Sequence, residues 1–120
     1  MEKSKSFREL IVWQKAHQFV LEVYKITKKF PKEELFCLTA QFRKAAVSIP
    51  ANIAEGYKKR GKNDKVRFFN ISEGSFEECK YYLILAFDLD YIDSNESLLD
   101  MAEEVSKLLC SYSQKILDNE

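Results

Sequence analysis

The chain is short of everything that makes loops. Its 120 residues include three glycines and two prolines, too few for a many-turned β protein and suited to a few long helices with short connections. Cysteine is scarce and odd in number. Cys37, Cys79 and Cys110 stand far apart, none in a C-x-x-C pair, and His17 is the single histidine. That donor set disfavours zinc, and no metal or other cofactor is expected. The three thiols read as reduced, mostly buried apolar groups. No apolar run approaches the ~18 to 20 residues that span a bilayer. Met1-Glu2-Lys3-Ser4-Lys5 leads into no apolar signal region, so the expected location is the cytoplasm, off the membrane.

Catalytic signatures are missing as well. There is no phosphate loop, no Gly-x-Ser-x-Gly elbow and no Cys-His arrangement. A di-metal bundle needs Glu-x-x-His pairs on facing helices, and one histidine cannot supply them. The Arg-then-His spacing of RNA-cleaving HEPN bundles is absent too. His17 shows no positioned partner for general-base work. Glu55, Glu73, Glu77 and Glu78 read as a solvated or ion-paired face. The chain is therefore expected not to be an enzyme.

What is present is ordinary soluble material, 46% apolar and 32% charged, enough for one domain over residues 1–120. Four helical segments fit the apolar periodicity. The first spans about Phe7 to Lys29, with Leu10, Trp13, Ala16, Val20, Val23, Tyr24 and Ile26 on one face and a Ser6/Glu9 capping box. Trp13 is expected to pack into the bundle with Gln14 and Arg43 nearby. Phe30-Pro31 ends this helix.

The second spans about Lys32 to Lys59, with Glu33 and Glu34 favoured at its start by the macrodipole. Small residues line it around Ala45, Ala46, Ala51, Ala54 and Gly56. Pro50 lacks an N–H and crowds the Ala46 carbonyl, so it either kinks this helix or splits it in two. The third spans Asn63 or Asp64, either a possible cap, to Tyr91. It is apolar most of the way round, which implies burial on more than one side and a second subunit against it. The fourth spans about Ser97 to Leu117. Short connections make neighbours antiparallel, so the expected fold is all-α, an antiparallel up-down-up-down four-helix bundle.

Formal charge sums to zero but is unevenly distributed. Residues 41–67 carry eight Lys/Arg against two Asp/Glu, and residues 68–120 carry three against twelve. The candidate nucleic-acid-binding residues are Arg43, Lys44, Tyr57, Lys58, Lys59, Arg60, Lys62, Lys65 and Arg67. The cations would meet phosphates, and Tyr57 would stack on an unpaired base.

Several stretches carry a resemblance: Phe7-Arg8-Glu9-Leu10-Ile11-Val12-Trp13-Gln14-Lys15-Ala16, Tyr24 and Thr27 before Phe30-Pro31-Lys32-Glu33-Glu34, Leu38 through Gly56, and Ile71-Ser72-Glu73-Gly74-Ser75-Phe76-Glu77-Glu78. Together they resemble the small bacterial four-helix-bundle proteins encoded in intervening sequences of 23S ribosomal RNA, often labelled S23 ribosomal proteins. The family's usual Arg-Arg-Ala stands here as Arg43-Lys44-Ala45, which gives up a guanidinium at the second position. Its Ala-Gly-Ser stands as Glu73-Gly74-Ser75. The resemblance implies a homopentameric ring. The fold also looks like that of the basic, RNA-binding accessory proteins of diversity-generating retroelements. Two functions remain open: an oligomer that binds structured RNA or another nucleic acid, and a scaffold for a partner protein with no nucleic-acid binding.

Overall fold

The computed structural model describes residues 5–119. Met1 to Ser4, where no signal region was expected, and the terminal Glu120 lie outside the described residues. Four α-helices follow one another: α1 (Ile11–Thr27), α2 (Leu38–Lys58), α3 (Lys62–Asp88) and α4 (Glu96–Asp118). Each packs on its neighbour in sequence and α4 closes on α1, while the backbones of the diagonal pairs stay apart. This is the up-down-up-down bundle, about 49 × 24 × 21 Å, with no strand among the described residues.

The core is aromatic. Phe19, Phe42, Phe69 and Phe76 are fully buried with Ile49, Ile53, Leu83 and Leu109. Tilted ring pairs knit the layers, Phe19 on Phe76 at 5.6 Å and Phe42 on Tyr82 at 5.6 Å. Such pairs add roughly 0.5–1.5 kcal/mol each beyond area burial.

Several element ends differ from expectation. A short 3-10 turn, Phe7–Glu9, precedes α1, and Leu10 in extended conformation separates the two. Ser6 and Glu9 therefore organise that turn. Ser6 Oγ accepts from Arg8 N–H and Glu9 Oε1 from Lys5 N–H. The second helix starts at Leu38 rather than Lys32, because Cys37 leaves the helical region after a separate 3-10 turn at Lys32–Glu34. Glu34 still serves the helix start, since its Oε1 accepts from the Leu38 amide at 3.3 Å. Gly61, not Asn63 or Asp64, is the N-cap of α3.

The third helix ends at Asp88, before Tyr91. Asp90 turns left-handed at φ 61°. Its amide bonds the Phe87 carbonyl, and the Tyr91 amide bonds Ala86 O at 2.8 Å. These two bonds form a Schellman cap with aspartate at the position glycine usually takes.

Pro50 sits inside one continuous helix, so it does not split α2. Side-chain donors serve carbonyls beside it. Asn52 Nδ2 donates to Ser48 O at 2.8 Å, and Ser72 Oγ of α3 donates to Ile49 O at 2.9 Å. Ser48 and Ser75 hydroxyls meet at 2.9 Å across the same seam. Below them Gly56 is buried, and a Cβ there would lie 2.7 Å from Phe69 Cε1 and 3.0 Å from Phe68 Cβ. The small residues of α2 thus let α3 approach closely.

Trp13 is half-buried at the edge, stacked on His17 at 5.1 Å and edge-on to Phe7 at 5.0 Å. Arg43 is not near it, because Arg43 bonds Thr27 at the far end of α1. Of the three cysteines only Cys79 is buried, so the thiols are not mostly buried. Burial and the adjacent Glu78 push the Cys79 thiol up to about 12.

Candidate nucleic-acid interface

The connection from α2 to α3 is three residues, Lys59 to Gly61. A helix end leaves carbonyls without partners, and lysines supply them here. Lys65 reaches back from the first turn of α3, and its Nζ donates to Tyr57 O at 2.6 Å. Partial burial holds this ammonium below the usual lysine range. Lys65 is thus occupied with the backbone, and its Nζ also lies 5.6 Å from the Tyr57 ring centre, over the surface a base would stack on. Lys62 Nζ donates to Asn119 O at the end of α4.

The other cations face outward. Lys59 Nζ and Arg67 Cζ both lie over the Phe68 ring, at 4.9 and 4.7 Å. Arg67 also pairs with Asp64 at 3.6 Å. Lys58 and Arg60 are exposed. Among the described residues, Lys58, Lys59 and Arg60 have no carboxylate within ion-pair distance. Three consecutive cations therefore crown one end of a rod without an ion pair among the described residues.

Arg43 and Lys44 do not join them. Fifteen residues of continuous helix separate Arg43 from Lys58, about 22 Å at 1.5 Å per residue. The two also diverge around the helix. Arg43 turns toward α1, where its Nε donates to Thr27 Oγ1 at 2.8 Å and its guanidinium lies 4.7 Å from the Tyr24 ring centre. Lys44 lines a small cleft with Ser48, Ser75 and Glu78 of the α2–α3 side.

The acidic side chains are engaged differently. Lys80 bridges Glu77 and Glu103, and Glu78 accepts from the Tyr82 hydroxyl at 2.7 Å. Burial raises the Glu73 carboxyl above its usual range. Among the described residues no group of three or more His, Cys, Asp or Glu could hold a metal ion. No helix among them is long and apolar enough to cross a membrane.

Part of α3 faces outward with apolar side chains. Ile71, Tyr81 and Ile84 are 43, 57 and 47% exposed. Gly74 lies in the same stretch, and a Cβ there would meet nothing within 4 Å. The close contact that a mid-helix glycine suggests is thus not made within the protomer.

A family model described as 23S rRNA-intervening sequence protein matches residues 8–111. A crystal structure of a protein of unknown function from the S23 ribosomal protein family of Bacteroides thetaiotaomicron VPI-5482 superposes with a TM-score of 0.79 at 26% identity. The match covers 86% of this chain and 98% of that one. Comparison with curated proteins gives no match.

Proposed function

The chain belongs to the 23S rRNA-intervening sequence protein family, and from that premise we propose that it is a non-catalytic, oligomeric module that binds structured RNA through the α2–α3 turn. The observation that carries this reading is the run Lys58-Lys59-Arg60 at one end of the bundle, without carboxylate partners among the described residues. Cations neutralised internally would have little left to give a polyanion. These would release the counterions of RNA phosphates on contact.

Self-association supplies the rest. The uncovered Ile71, Tyr81 and Ile84 of α3 are suited to a neighbouring copy, and Gly74 lets a second backbone come close. The family resemblance supports a homopentameric ring as that assembly. Five copies of the turn on one rim would act together, so that a weak contact per protomer becomes a firm one.

Light scattering on the purified protein is expected to report a pentamer. RNA binding by that oligomer, measured at 50 and 200 mM salt, should weaken steeply. If each of two turns neutralises about three phosphates, the loss over that range is at least about 10³-fold. A well-formed oligomer that holds no RNA at low salt, and recovers a protein partner instead, would replace this reading with the scaffold.

A further inference from the structure

A second cationic feature lies at the other end of the bundle, where α1 ends and α2 begins. A pocket of about 240 Å³ opens there, lined by Thr27, Lys28, Phe30, Lys32, Thr39 and Arg43 among others. Pockets for drug-sized ligands run to roughly 300–1,000 Å³, so this one takes a small group.

Its polar lining is cationic and rich in donors. Thr27 is 3% exposed, and its hydroxyl donates to Val23 O at 2.8 Å while accepting from Arg43 Nε at 2.8 Å. With the Tyr24 ring beside it, the guanidinium is held on one edge and one face. Its two terminal nitrogens have no protein acceptor among the described residues. Thr39 is also 3% exposed, and its side chain makes no hydrogen bond among the described residues. Lys28 and Lys32 are exposed and without a carboxylate partner among them.

The nearby acids do not fill the role. Glu34 is tied to the Tyr91 hydroxyl at 2.7 Å and to the Leu38 amide, and Glu22 to Lys25 at 3.1 Å. A half-buried arginine normally meets a carboxylate or phosphate through its planar fork. Here the fork is pre-oriented and meets no acceptor among the described residues.

We propose that this pocket binds a terminal phosphoryl group, with the Arg43 fork as the main donor, the Thr39 hydroxyl as a second, and Lys28 and Lys32 neutralising its charge. A terminal group fits because the pocket is small and its three cations more than offset a dianion. Free phosphate and the 5′-phosphate of an RNA present the same chemistry. The site is separate from the α2–α3 turn and does not depend on RNA binding there.

The test is an NMR titration of the oligomer with inorganic phosphate at constant ionic strength, chloride replacing phosphate in the control. Saturable shifts are expected at the Thr27 and Thr39 amides and at Arg43 Nε–H. The exposed double variant K28E/K32E should keep the melting temperature measured without phosphate and weaken binding about tenfold or more. A short RNA with a 5′-phosphate that shifts the same signals, where its 5′-hydroxyl counterpart does not, identifies the RNA end as a source. Shifts from inorganic phosphate alone identify the free ion. Reversing Lys58, Lys59 and Arg60 should leave these shifts in place. Shifts that never saturate, that chloride reproduces, or that survive K28E/K32E unchanged would overturn the proposal.

Discussion

Changing Lys58, Lys59 and Arg60 together to glutamate is expected to abolish RNA binding at 100 mM salt while leaving the bundle folded. Each of these side chains points to solvent or lies over Phe68, so no buried partner is lost with it. Exposed charge changes of this kind cost roughly 0.5 kcal/mol or less in stability. The effect on binding is far larger. Three cations become three anions on every copy, and the attraction that neutralises phosphates turns to repulsion. The expected loss is at least about a hundredfold, with the salt dependence removed. Circular dichroism should superpose on that of the parent. A triple variant that binds RNA as before, with its salt slope intact, would take the function away from this turn.

The second large effect is on stability. Gly56→Val should destabilise the protomer by about 3 kcal/mol, from the overpacking that small-to-large changes bring to a dense core. The first added carbon already sits 2.7 Å from Phe69, a ring that is fully buried and has nowhere to go, and 3.0 Å from Phe68 Cβ. Gly74→Ala is the matched control. Nothing within the protomer lies within 4 Å of its new methyl, so the isolated protomer should gain about 1 kcal/mol of helix propensity, and a loss confined to the assembled oligomer would report a neighbouring copy at Gly74. Urea unfolding of both variants checks the pair. Equal stability changes would mean that α2 and α3 are not as close at Gly56 as the geometry places them.

Much of the fold could be read in the sequence, because four apolar stripes at helical spacing survive every local irregularity. What failed did so for local or tertiary reasons. Phe19, at the centre of the core, falls outside a stripe phased from Leu10 and Trp13, because these two belong to the break before α1 and to its outer edge. Glu33 and Glu34 looked like a first helical turn, yet the chain breaks again at Cys37 and leaves Phe36 89% exposed. In the candidate site, closeness in sequence misled. Arg43 and Lys44 share a basic stretch with Lys58 but stand most of a helix away. Lys65 is bound to backbone carbonyls by a contact that no local pattern announces. Lys28 and Lys32 carry no local signal, since only folding brings them to one pocket with Arg43.

The close seam between α2 and α3 also bears on the order in which the chain folds. A three-residue turn joins these helices, and the loop-closure entropy of bringing them together is small. Ser72 and Ser75 then fasten the pair beside Pro50, while α1 and α4 meet only after the two ends of the chain are gathered. The α2–α3 hairpin is expected to be largely formed at the folding barrier, with α1 and α4 docking after it. Truncating Ile53 or Phe69 should then slow refolding, whereas truncating Val20 or Val105 should mainly speed unfolding. Stopped-flow kinetics that show the reverse would place the nucleus elsewhere. On this order, a nascent chain would hold its basic turn in shape before its bundle is closed.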